Sequence, residues 1–229
     1  MISNGINSGL DKPLINCVIL GGGGHTKGLI DSILAAKLNY KIVGILDPDS
    51  EKWGREILGV KVIGGDELLV SMFADGVGNF IVGLGGAGDC KPRMRLYQFA
   101  INTGLAPLPV IHPTAYISPF AKLGNGTQIM PQVTVMPGVK ISDNVILNTN
   151  AIIEHDCSVD SHSHVSSGAH LAGDVRIGVC SHIGIGAVIK QGITIGDYVV
   201  IGAGAVVVKD VPANLTVVGN PAKILHKKH

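Results

Sequence analysis

Between Pro113 and Val208 the chain repeats one six-residue pattern sixteen times without a break. The fifth position is always Ile, Leu or Val, from Ile117, Leu123 and Ile129 through to Ile195, Ile201 and Val207, and the third is mostly small. An α-helix cannot hold a strict period of six on one face, because 3.6 residues per turn carries the stripe around the cylinder. A flat strand, with its period of two, has no need of a small residue at one inward position in three. A parallel β-helix of triangular section needs both. Each hexad makes one flat side, the aliphatic residue points into the prism and the small residue sits near a corner. Residues i and i+18 then lie one above the other, at about the 4.8 Å spacing of neighbouring strands.

The composition suits such a core, being 46% hydrophobic but only 4% aromatic. At 229 residues the chain has room for two units. A net charge of +1, with no long run of one sign, argues against nucleic acid as a partner. The basic tail from His226 to His229 reads as a solvated end. Cys17, Cys90, Cys157 and Cys180 show no CxxC spacing, so four reduced thiols in a cytoplasmic protein are expected. The polar opening residues form no signal peptide, and no stretch of 18 apolar residues forms a membrane span.

Ahead of the repeat, residues 1–12 read as a flexible lead-in and 13–108 as a Rossmann-like α/β unit. The apolar run Ile15–Leu20 ends in Gly21-Gly22-Gly23-Gly24, a helical pattern follows, and a second strand, Lys41–Leu46, leads into Asp47. Glycines at a βα turn let the backbone approach a phosphate, and the helix N-terminus offers N–H groups to it. An acid after the second strand is placed for a ribose hydroxyl or a base edge. The third glycine of the dinucleotide fingerprint is replaced by Thr26 or Lys27, and the unit is half the length of a full dinucleotide domain. A mononucleotide or nucleotide sugar therefore fits better than NAD, the plain alternative being a glycine turn that only tightens the corner. His25 is placed to reach a phosphate or to cap the turn. Gly104–Pro113 reads as a linker, and 109–229 as the β-helix with a C-terminal cap over Leu215–Ile224.

The repeat carries His155, His162, His164, His170 and His182. His155 is followed by Asp156, and a carboxylate beside an imidazole holds one tautomer and stabilises the charged form, as a general base requires. His164 and His182, 18 apart, should stack. Several histidines on a β-helix also admit a zinc-dependent hydratase, and histidines stacked for packing alone are the plain reading for His162 and His170. Cys157, at an inward position, reads as core.

The hexads, together with NTNAIIEHDC, SHVSSGAHLAGDVRIG and the terminal VVGNPAK, resemble the hexapeptide-repeat acyltransferases, in particular the sugar O/N-acetyltransferases of the NeuD and PglD type. The resemblance spans about Ile15 to Lys223. It implies a left-handed β-helix, a homotrimer with active sites between neighbouring prisms, acetyl-CoA as cosubstrate and no metal. The family's catalytic His falls on His155 and its supporting acid, commonly Glu, on Asp156. A second His falls on His164, an interface Asn on Asn148, and a glycine whose N–H faces the thioester carbonyl on Gly173. Gly22, Gly23, Gly24 and His25 match the phosphate-side motif and Asp47 the nucleoside contact, with Pro48 where relatives carry a second acid. The implied reaction is N-acetylation of a nucleotide-linked 4-amino-4,6-dideoxy sugar, with UDP the expected carrier and GDP or dTDP the alternatives. The rivals are O-acetylation of sialic acid or a related hydroxyl, and a non-catalytic nucleotide-sugar-binding trimer.

Overall fold

The computed structural model describes residues 13–86 and 88–225; the lead-in and the basic tail lie outside them. The N-terminal unit runs β1 (Ile15–Leu20), α1 (Gly24–Ala35), β2 (Tyr40–Leu46), β3 (Glu56–Ile57), β4 (Val60–Gly64), α2 (Leu69–Ala74), β5 (Asn79–Val82), α3 (Lys91–Thr103) and β6 (Ala106–Pro107). Its sheet has the order β3-β4-β2-β1-β5-β6, parallel except for the β3–β4 hairpin. The central strand β1 loses its last four residues wholly to the core, which is why it ends in the apolar run from Cys17 to Leu20. On α1 Leu29, Ile30 and Ile33 face the core, while Leu34 is 65% exposed.

From Val110 to Val207, two-residue strands stack into three flat faces with a register of 18, as in Gln128 on Ile146, Thr134 on Ile152 and Lys140 on Ser158; the last coil shortens to 16, Val200 pairing with Thr216. The strands occupy the fourth and fifth hexad positions. The fifth residue fills the prism, as Ile129, Leu147, Val165 and Ile183 do on the first face. The second hexad position takes a left-handed backbone at corner after corner, in Gly126, Gly138, Asn144, Asn150, Asp156, Gly168 and Asp174 among others. Gly, Asn and Asp tolerate that conformation best, so the turn chemistry is written at the period of the fold. The prism starts ahead of the first hexad, inside the stretch Gly104–Pro113. Val110–Ile111, within that expected linker, already pairs with Gln128–Ile129. The far end is closed by Thr216–Val218, which continues the first face, and by Lys223–Ile224 folded back antiparallel beside it.

Outward residues distinguish the three faces. On the first face Gln128, Ile146 and His164 are buried, because the N-terminal unit lies against it; on the other two Lys122, Lys140, His170 and Arg176 are exposed. Met130 joins the apolar cluster of Leu29, Ile30 and Val110, and Tyr97 meets His162 edge-on at 5.5 Å. Arg93, wholly buried, donates to the carbonyls of Val82 (3.1 Å) and Leu84 (2.7 Å) and reaches that of Asn144 (3.4 Å) on the prism. Burial alone pushes its guanidinium down to about 9. The expectation of four reduced thiols is corrected here. Cys17 and Cys157 are free and buried, but Cys90, at the start of α3, is disulfide-bonded to Cys180 on a prism corner. The partners are 90 residues apart and belong to different units, so no local spacing could announce the bond.

Candidate active site

Three groups of residues carry chemistry; the first two adjoin at Gly24, and the third lies at another corner of the prism. The first lies at the end of β1. Gly21 has φ +104°, and a side chain there would press on Gly83 and Leu84 at 3.3 Å. Thr26, where the fingerprint would have its last glycine, donates its hydroxyl to the Gly21 carbonyl at 2.5 Å and ties the turn shut. Gly22, Gly23 and Gly24, with Lys27, Lys52, Arg55 and Glu56, surround a cavity of about 350 Å³. Three cations meeting the N-terminus of α1 make an anion site. Lys27, Lys52 and Arg55 were missed in the sequence, where only their spacing from the glycines and from Asp47 could have pointed to them.

Asp47 is not the free acceptor that its position suggested. Its Oδ2 accepts from the Gly22 N–H (2.7 Å) and Lys52 Nζ (3.0 Å), and its Oδ1 from the Asp49 N–H (3.0 Å) and Lys52 (3.1 Å). Burial would raise its pKa, but the two backbone donors and Lys52 outweigh burial and hold it below the usual carboxylate range. Asp47 thus clasps the glycine turn and engages Lys52, which leaves Lys27 and Arg55 as the cations that face the cavity without a carboxylate partner among the described residues, with Lys52 able to bridge Asp47 and an anion.

A second cavity, about 510 Å³, lies between α1 and the first prism face, lined by Gly24, His25, Gly86, Met130, Asn148 and His164 among others. His25 is a neutral imidazole here, not a phosphate-binding cation. Burial pushes it down to about 4, and its Nε2 lies 2.7 Å from Gln128 Oε1. His164 stacks edge-on with His182 at 5.0 Å, one coil above, as their spacing predicts. Burial, with His182 beside it, takes His164 to about 3, and the Asn148 amide donates to its Nε2 at 3.3 Å. Among the described residues no group of three or more His, Cys, Asp or Glu is arranged to hold a metal ion.

The third group is at the corner between the second and third faces. His155 Nδ1 is 2.9 Å from Asp156 Oδ2, and that hydrogen bond raises the imidazole pKa. A carboxylate accepts only, so Nδ1 carries the proton and Nε2 is left as the basic nitrogen. Gly173 sits one coil above, so near that a Cβ on it would lie 2.6 Å from both Cε1 and Nε2 of His155. The Gly173 N–H has no partner within the described chain. His155 and Gly173 therefore share a corner, whereas His164 is on the first face and Asn148 at the next corner of the prism.

A Rossmann-like unit welded to a hexapeptide prism that carries a histidine–carboxylate pair defines a class, the hexapeptide-repeat acyltransferases. Residues 16–99 match the family model of the PglD N-terminal domain, and residues 120–155 that of the bacterial transferase hexapeptide (six repeats). Among solved structures, perosamine N-acetyltransferase from Caulobacter crescentus, a histidine-to-asparagine variant in complex with CoA and GDP-perosamine, is 35% identical. The match covers 93% of this chain and 97% of that one, with a TM-score of 0.86. The acetyltransferase domain of PglB from Neisseria gonorrhoeae FA1090, in complex with acetyl coenzyme A, is 37% identical over 93% of this chain and 100% of that one, with a TM-score of 0.83. WeeI from Acinetobacter baumannii AYE, at 23% identity and a TM-score of 0.72 over 91% and 99% of the two chains, shares the fold. No curated protein sequence matches the chain. The chain belongs to the PglD-type sugar acetyltransferase family and is an acyltransferase.

Proposed function

We propose that the protein transfers the acetyl group of acetyl-CoA to the 4-amino group of a nucleotide-linked 4-amino-4,6-dideoxy sugar. The observation that carries this reading is the corner where His155 Nε2, freed by the Nδ1–Asp156 bond, lies beside the unpartnered Gly173 N–H. The sugar amine attacks the thioester carbon. Nε2 of His155 takes the amine proton, Asp156 stabilises the imidazolium, and the Gly173 N–H stabilises the oxyanion. Collapse of the tetrahedral intermediate expels the CoA thiolate, which takes the proton back from Nε2. The step is direct and needs neither a metal nor an acyl-enzyme.

Work divides between residues 13–108, which hold the nucleotide diphosphate against Gly22–Gly24, Lys27, Lys52 and Arg55, and residues 109–229, which hold acetyl-CoA and the base. His155 sits on a different side of the prism from His164, Asn148 and the glycine turn, so one chain cannot enclose the whole reaction. A homotrimer resolves this by setting the His155 corner of one copy against the interdomain cleft of the next. The carrier implied by the resemblance is UDP. The Caulobacter relative was crystallised with a GDP-linked sugar, which makes GDP the second carrier to try. The cytoplasm, which supplies both cosubstrates, is the compartment proposed. Among the described residues no helix is long and apolar enough to cross a membrane.

The test is CoA thiol release from acetyl-CoA with UDP-, GDP- and dTDP-linked 4-amino sugars and with free sialic acid. Release with an amino sugar, lost in His155→Ala by roughly 10²–10⁴-fold, supports the reading. Release with sialic acid alone replaces it with O-acetylation.

A further inference from the structure

His25, beside the anion site, has its two ring nitrogens assigned by a chain of contacts that begins at a backbone carbonyl. The Val82 carbonyl can only accept, and Gln128 places its amide Nε2 2.7 Å from it. That fixes which end of the Gln128 amide is which, so its Oε1 faces His25 Nε2 at 2.7 Å, and that nitrogen must carry the proton. Arg93 donates to the same Val82 carbonyl at 3.1 Å and holds it in place. Gln128 is itself 1% exposed, and both ends of its amide are engaged. The other nitrogen of His25, Nδ1, has no partner within the described chain, and His25 lines the cavity between α1 and the prism.

We propose that Gln128 is a positioning residue: it locks His25 in the Nε2–H tautomer, so that a bare Nδ1 acceptor takes a hydroxyl of the sugar carried by the nucleotide. This rests on the nucleotide-sugar reading above. A phosphate at neutral pH offers only acceptors and is repelled by a lone pair; it falls instead to the glycine turn and the three cations. A sugar hydroxyl is a donor, and it belongs to the next part of the same ligand.

The assignment is readable without substrate, by long-range ¹H–¹⁵N NMR of protein labelled at histidine nitrogen, with the His25 signals identified by their loss in His25→Gln. A single Nε2–H tautomer through neutral pH is expected in the wild type; a Nδ1–H tautomer or an imidazolium overturns the proposal. Gln128→Met keeps the volume and removes the acceptor, and should give mixed tautomers. With the GDP- or UDP-linked amino sugar that the wild type acetylates, its KM should rise about tenfold, the worth of one hydrogen bond of about 1.4 kcal/mol. Its kcat and its KM for acetyl-CoA should hold. Gln128→Glu should raise that KM as well, by charging His25 and turning Nδ1 into a donor. Mixed tautomers with an unchanged sugar KM would overturn the hydroxyl contact. A wild type inactive on every amino sugar would overturn the functional reading and the hydroxyl with it, while the role of Gln128 stands or falls by the spectrum.

Discussion

A methyl group placed on Gly173 would come within 2.6 Å of both Cε1 and Nε2 of His155, one coil below. The ring is the far end of an exposed side chain and can swing aside, so the fold tolerates the intrusion while the base leaves its post. Gly173→Ala should therefore keep the melting temperature of the wild type and lose roughly 10²-fold or more in kcat. Thermal melts and turnover of the same preparation check this. A variant that melts early would show Gly173 to serve the corner rather than the chemistry.

In the proposed mechanism His155 acts as a base only when neutral, and its bond to Asp156 raises its pKa above the usual imidazole value of about 6.5. Activity should accordingly fall as pH drops through that raised value. Asp156→Asn removes the main cause of the shift and should move the acid limb of kcat/KM to lower pH while lowering its plateau. A limb that stays where it was assigns the titration to another group.

Around the glycine turn, Lys52→Ala and Arg55→Ala should each raise KM for the nucleotide sugar roughly tenfold, the loss of one charge-assisted hydrogen bond. KM for acetyl-CoA should not move. Asp47→Ala should act on stability instead, costing about 2 kcal/mol as the N–H groups of Gly22 and Asp49 lose their acceptor. Because its carboxyl is held below the usual range, the stability it contributes is complete above about pH 3.9 and is lost as pH falls through the lower folded-state value. Denaturant titrations at neutral and acid pH read both effects.

The Cys90–Cys180 bond ties the start of α3 to the prism. In denaturant without reductant, thiol titration should find only Cys17 and Cys157. Reduction should lower stability by about 2–4 kcal/mol and raise KM for the nucleotide sugar, since Gly86 lines the interdomain cavity. Cys180→Ser should melt like the reduced wild type and ignore reductant. Four titratable thiols would remove the bond from the account.

Much of the site was legible before any coordinates. The His155–Asp156 pair is adjacent in sequence; Gly173 was legible only through the family resemblance, although it follows His155 by one coil of 18. The His164–His182 stack follows from the repeat itself. Lys27, Lys52 and Arg55 were not legible, since a cation on a loop looks the same whether it faces water or an anion. Gln128 occupies an outward hexad position, where a polar residue is ordinary; only its cover by the N-terminal unit gives it partners.

By itself the sequence determined the prism, its register, its left-handed corners and the glycine turn at the end of β1. Each depends on contacts between near neighbours or on an exact translational repeat, and such contacts leave a period or a dipeptide in the chain. Tertiary structure alone decided which prism face the N-terminal unit covers, and with it the neutrality of His25 and His164, the Arg93 bridge and the Cys90–Cys180 bond. It also decided that His155 and the glycine turn lie on different sides of one chain. These depend on how two finished surfaces meet, and the side chains that settle that meeting are scattered along the sequence with no period of their own.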